Sequence, residues 1–243
     1  MEALDERDYK KAESAFISEI KDNDDNGYAY LWLGVIQYGN DEYGKALGSI
    51  DNALKYIHKK DKENRSYCYY KRAGIYRALE KDDLALSDYT MALSLNPEDD
   101  DILWERAQIY YEQEKFDLAD ADYKRMIELN PNQPAPYMGL GRNELFRKEY
   151  QKALDLFDNV VALYTDYSSG YSFRAEAYIG LKKYIEAEES VCGEFSNDFY
   201  KDRLRLEKEI KDILKVLNAQ EKYDYITKDC WIFDIECYDE EEE

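Results

Sequence analysis

Small and bulky residues recur along this chain on a fixed beat. Alanine stands at Ala12, Ala46, Ala85, Ala119, Ala153 and Ala187, with successive spacings of 34, 39, 34, 34 and 34 residues. Two further columns keep the same register. Twelve residues before the alanines come Gly34, Ala73, Ala107, Gly141 and Ala175; four after them come Phe16, Ile50, Tyr89, Tyr123, Phe157 and Val191. A third column, sixteen before, holds Tyr30, Tyr69, Leu103, Tyr137 and Tyr171. Small residues let two helix axes approach closely, and bulky ones fill the space between neighbouring turns. A period of this size marks stacked supersecondary units, each unable to bury its apolar face alone.

Between the columns the apolar positions follow a helical period. Leu103, Ala107, Tyr110 and Tyr111 share one face of a helix over 102–113, and Phe116, Ala119, Tyr123, Met126 and Ile127 share one over 116–129. The polar run Glu112-Gln113-Glu114-Lys115 is a short turn that suits antiparallel neighbours. Leu95-Asn96-Pro97 and Leu129-Asn130-Pro131 close one unit and open the next, because proline ends a helix and is tolerated near the start of another. Each unit therefore reads as helix–turn–helix. The single 39-residue spacing leaves five extra residues, placed in the polar run His58 to Asn64, where they lengthen the turn or the second helix of that repeat.

Leu33-Gly34, Leu140-Gly141 and the two Asn-Pro closers make the chain resemble the tetratricopeptide repeat family. The usual tyrosine three residues after the small one is Gln37 in the first full repeat and Glu144 in the fourth, and His58 and Thr165 replace the terminal proline. The resemblance runs from about Asp5 to Phe195. It implies an all-α fold, a right-handed α-solenoid of stacked antiparallel helix pairs. The expected divisions are a half repeat at 5–26, full repeats at 27–65, 66–99, 100–133, 134–167 and 168–198, a capping helix at 199–218 and an apolar then acidic tail at 219–243.

The resemblance also implies a groove lined by the first helix of each repeat, which holds a peptide or a helix of a partner protein. Its positions here are Tyr28, Leu31, Val35 and Tyr38; Tyr67, Tyr70 and Arg77; Trp104, Gln108 and Tyr111 (with Asp101); and Met138 and Arg142 (with Leu145). The fifth repeat offers the more polar Ser169, Ser172, Glu176 and Ile179. Trp104 neighbours the core position Leu103 and is expected to point into the groove. The family's carboxylate clamp is not expected, because its positions in the first three full repeats hold Leu31, Val35, Lys71, Asp101 and Glu105, and acids there repel a carboxylate. Its asparagine ladder is missing too, since that column reads Trp32, Lys71, Glu105, Gly139 and Phe173.

Charge narrows the partner. The net charge of −21 repels nucleic acid and anionic membrane surfaces and favours a basic or neutral protein or peptide. Apolar residues at 44% suffice for a core, and no apolar run approaches the length of a membrane span. Met1 to Arg7 has no signal-peptide pattern, so a cytoplasmic location is expected. Cys68, Cys192, Cys230 and Cys237 match neither a disulfide framework nor a zinc pattern, and His58 is the single histidine. With no glycine-rich phosphate loop and no metal-ligand cluster, no cofactor and no catalytic residue is assigned. A scaffold is favoured over a regulatory or targeting segment of a larger enzyme or envelope protein, the alternative raised by a first unit with only its second helix. Phe199 to Leu217 carries the stripe of a capping helix. The tail from Tyr223, with Trp231-Ile232-Phe233 and five terminal acids, has three arrangements open to it. It packs on that helix, stays disordered, or docks in a groove of its own chain or a neighbour's.

Overall fold

The computed structural model describes residues 6–164, 168–183, 186–187 and 190. They form an all-α helical-repeat solenoid of ten helices. These are α1 (Glu6–Asp22), α2 (Gly27–Gly39), α3 (Tyr43–Tyr56), α4 (Lys62–Ala78), α5 (Asp82–Leu95), α6 (Asp100–Glu112), α7 (Phe116–Leu129), α8 (Pro134–Phe146), α9 (Tyr150–Leu163) and α10 (Ser168–Gly180). The described residues fall into two compact units, divided between Leu129 and Asn130. The expected capping helix and tail lie outside the described residues.

The size columns are packing partners. Ala46, Ala85, Ala119, Ala153 and Ala187 are completely buried, whereas Ala12 on α1 is only half-buried. In the first full repeat a Cβ added to Gly34 would stand 2.7 Å from Ile50 Cδ1, and in the fourth one added to Gly141 would stand 2.3 Å from Phe157 Cε1. In these two repeats the small residue of the first helix thus receives the bulky residue of the second. Ile50, Tyr89, Tyr123 and Phe157 are all buried, and Ile50 and Phe157 are each worth about 1.5–3 kcal/mol of hydrophobic transfer.

The first helices of the repeats start and stop by fixed devices. Side chains of Asn26, Asp61 and Asp99 accept from the amides of Ala29, Asn64 and Ile102, capping α2, α4 and α6, while α8 has proline in its first turn. Each first helix ends in the same tight turn. Asp41, Glu80, Glu114, Lys148 and Lys182 hold φ near +60°, and the next amide donates to the carbonyl five residues back, as in Lys81 to Tyr76 and Lys115 to Tyr110, both 2.8 Å.

Of the five extra residues of the 39-residue spacing, one lengthens the turn after α3 and four go elsewhere than expected. The second helix α3 has 14 residues, the same as α5, α7 and α9. It is α4 that grows, to 17 residues against 13 in α2, α6, α8 and α10. The run therefore adds one helical turn, residues 62–65, to the front of the following repeat. Asp61 makes this possible as a cap, and Arg65 holds the new turn by donating to the carbonyls of Leu54 (2.6 Å) and Ile57 (3.1 Å) at the end of α3.

A polar brace supplements the apolar columns. Arg72 Nε and Nη2 donate to the two oxygens of Asp88 at 2.6 and 2.8 Å, and its Nη1 reaches Asp51 on the preceding repeat. Arg106 pairs the same way with Asp122 and donates to Thr90 on the preceding repeat. In the second unit Arg174 meets Ser190 and Asp158 at the equivalent positions. The first and fourth full repeats carry Leu33 and Leu140 in this column instead.

Candidate functional site

The helices α2, α4 and α6 of the first unit bound two clefts that share Tyr70. One, of about 420 Å³, is lined by Trp32 of α2, by Glu63, Asn64, Ser66, Tyr67 and Tyr70 of α4, by Asn96 at the end of α5, and by Asp99 and Ile102 at the start of α6. Two of its lining residues, Glu63 and Asn64, belong to the extra turn of α4. The Trp32 and Tyr67 ring centroids lie 6.0 Å apart and those of Tyr67 and Tyr70 6.3 Å. Its polar floor is internally satisfied: Ser66 donates to the Ala92 carbonyl, Asn64 Nδ2 to Asp61, and Asn96 Nδ2 to Asp99 Oδ2. Glu63 is exposed and makes no ion pair.

The second cleft, of about 400 Å³, is lined by Tyr38, Tyr70, Lys71, Gly74, Arg77, Ala78, Tyr89 and Glu105. Arg77 is pinned here to the next repeat, donating to the Glu105 carbonyl and carboxylate at 3.3 Å and to Glu112 at 2.7 Å. The Lys71 ammonium stands 4.9 Å from the Tyr67 ring centre and 4.8 Å from that of Tyr70, held by the negative faces of the two rings. Gly74 keeps this cleft open, since a Cβ there would come within 3.2 Å of the Tyr38 hydroxyl.

The local field is negative. Burial, then the charges of Asp101, Glu105 and Asp99, push the Tyr70 hydroxyl up to about 12. Tyr38 is raised by burial and by Glu105 and Asp41, with Arg77 opposing. Tyr89 is raised further by its burial. Neutral hydroxyls, aromatic faces and fixed carboxylates make the clefts suited to holding apolar and cationic groups. Cys68 is no nucleophile, being completely buried with its thiol pushed up to about 12 by desolvation.

The expected groove residues divide. Tyr38, Tyr67, Tyr70 and Arg77 line the two clefts. Tyr28 is 48% exposed and donates to Asp61 at 2.6 Å. On α6, Trp104 and Tyr111 are half-buried, their rings 5.7 Å from Tyr123 and 5.8 Å from Phe116, and Gln108 donates to the buried Tyr123 hydroxyl. Leu31 offers a ligand nothing: it is 0% exposed, in a core with Ala46, Ile50, Cys68 and Ile75. Met138 is buried in the core of the second unit, where Arg142 stands over the Phe173 ring at 5.8 Å. Val35 also packs against core. Leucine and methionine are short enough to seat in the core, whereas Tyr70 and Trp104 in the column of Leu31 are too large to be covered.

Sequence reasoning missed Trp32, Lys71 and Glu105 as lining residues, together with Glu63, Tyr89 and Asp99. The first three form a single column, which was read for the asparagine ladder and, at Lys71 and Glu105, for the carboxylate clamp. Their size and charge at that position were the available signal.

Among the described residues no helix is long and apolar enough to cross a membrane. The family model described as tetratricopeptide repeat matches residues 1–61 and 70–134. No curated protein matches the chain. Three solved structures show the fold to which it is similar. The C-terminal part of a TPR repeat-containing protein from Cytophaga hutchinsonii is 20% identical, with a TM-score of 0.69 over 91% of this chain and 84% of that one. A tetratricopeptide repeat protein from Parabacteroides merdae is also 20% identical, with a TM-score of 0.66 over 95% of this chain and 90% of that one. YrrB, described as a TPR protein with an unusual peptide-binding site, is 19% identical, with a TM-score of 0.62 over 85% and 98%.

Proposed function

Because the chain belongs to the tetratricopeptide repeat family, we propose that it is a protein–protein interaction scaffold that holds a peptide or helix of its partner along α2, α4 and α6. The reading rests on one observation, the pair of aromatic, acid-edged clefts that meet at Tyr70. Tyrosine and tryptophan offer large contact areas with few rotors to freeze, which favours them at interfaces. The peptide-binding site named for YrrB supports the same reading by analogy of fold alone. Chaperone tails ending in a carboxylate are poor ligands here, because Glu105 sits in the cleft and Asp101 raises the negative field beside it. The partner segment is basic or neutral, and binding rather than catalysis is the activity.

Selection from a displayed random dodecapeptide library on the full chain tests this. Selected peptides are expected to lose tenfold or more in affinity on Tyr70→Ala and several-fold on Trp104→Ala, with helicity retained. Leu118→Ala, on the exposed side of α7, leaves binding unchanged. Equal affinity for wild type and both aromatic variants refutes the groove.

A further inference from the structure

We propose that the cleft between Trp32, Tyr67, Glu63 and Asp99 is a subsite for one arginine side chain of the bound peptide. This rests on the groove reading above and adds the chemistry of one position in it.

Four observations converge. The side chains that meet a ligand there are aromatic faces and acceptors: Trp32 is 45% exposed beside Tyr67, Glu63 makes no ion pair, and Asp99 has already spent only one lone pair on each oxygen, to Ile102 N and Asn96 Nδ2. Of the nearby cations, Arg65 is bonded to the carbonyls of Leu54 and Ile57, and Lys71 lines the adjoining cleft and lies against Tyr67 and Tyr70, which leaves Trp32 as the uncovered ring. The rings of this region already face a cation, since Lys71 stands within 5 Å of both Tyr67 and Tyr70. Finally, the subsite exists because of the extra turn of α4, which supplies Glu63 and sets it opposite the cap of α6.

Arginine fits this set better than lysine. A planar guanidinium stacks on an indole or phenol while its edge donates two parallel bonds to a carboxylate, and it is less strongly hydrated than an ammonium. Glu63 is the carboxylate with both oxygens available, and Trp32 is the ring with the most open surface. Asp99 contributes charge, its position fixed by its capping bond.

The probes are fluorescein-labelled dodecapeptides selected on the wild-type chain, each resynthesised with citrulline or lysine at its arginines. Citrulline keeps the shape and removes the charge. We expect a shared arginine whose replacement by citrulline weakens binding tenfold or more on wild type and less than twofold on the Glu63→Gln/Asp99→Asn variant, in which asparagine preserves the cap. Lysine at that position recovers part of the affinity, and Trp32→Ala weakens the arginine peptide more than the citrulline one. An equal citrulline effect on wild type and variant overturns the subsite. So do selected peptides that respond to Tyr70→Ala yet carry no arginine, and in that case the groove stands. Peptides indifferent to Tyr70→Ala and Trp104→Ala, or a selection that yields none, remove the groove and the subsite together.

Discussion

Replacing Asp122 with alanine strands a guanidinium. Asp122 is 5% exposed and takes both Nε and Nη2 of Arg106, itself only 18% exposed, at 2.9 and 2.6 Å. With the carboxylate gone, Arg106 keeps a single neutral acceptor, Thr90 Oγ1 at 3.2 Å. Removing one partner of a pair this covered costs about 3–5 kcal/mol, mostly the desolvation of the charge left behind. Asp88→Ala is the control. It removes the same bidentate pairing from Arg72, yet Arg72 retains Asp51 at 2.6 Å, which is exposed enough to keep the cation partly hydrated. That loss is smaller, about 2–3 kcal/mol. The double variant Arg106→Leu/Asp122→Leu restores the chemistry that the fourth repeat already uses at these positions, Leu140 and Leu156, and is expected within about 1–2 kcal/mol of wild type. Urea unfolding followed by far-UV circular dichroism and tryptophan fluorescence gives the ordering, with midpoints compared first because repeat arrays depart from two-state behaviour. Asp122→Ala within 1 kcal/mol of wild type refutes the brace. A double leucine variant no better than Asp122→Ala refutes the desolvation argument.

Three further outcomes follow from the packing and the field. Gly141→Ala, driven against Phe157, lowers stability by about 1–3 kcal/mol, whereas Gly48→Ala, with open space around it in α3, raises it by about 0.5–1 kcal/mol; thermal melts that rank them in the reverse order contradict the column packing. Cys68 resists alkylation in the folded chain, so native labelling is the same for wild type and Cys68→Ala, and in urea wild type takes one more label. Tyr70 and Cys68 are both raised to about 12, from 10.0 and 9.0, so folding favours their neutral forms. Their contribution is complete below those starting values and drains away as pH rises toward 12, and Tyr70→Phe flattens the upper part of that decline in melting temperature.

Much of the fold was legible because steric fit writes itself into the sequence as residue size at fixed spacing. Gly34 against Ile50 and Gly141 against Phe157 are recoverable from two columns alone. The braces were not, since Arg72, Asp88, Arg106 and Asp122 read as ordinary surface charges until paired sixteen residues apart. The site was half legible. Position within a repeat located Tyr67 and Tyr70, but it is side-chain length that decides whether a residue in that column is covered, as Leu31 is, or reaches the cleft. The five-residue insertion was placed correctly along the chain, but of the turn and second helix expected to take it only the turn grows, by one residue, because a polar run does not reveal that Asp61 caps a new helical turn.

The braces also bear on how the first unit comes apart. In a linear array, stability is the sum of what each repeat holds by itself and what each interface adds. Arg72 writes both quantities with one side chain: its bonds to Asp88 close its own repeat, and its bond to Asp51 couples that repeat to the one before. The intrinsic and nearest-neighbour terms at this point therefore cannot vary independently. Substitution of Arg72 weakens both together, and the cooperative block shortens at the α3–α4 boundary, so that α1–α3 melt apart from α4–α7.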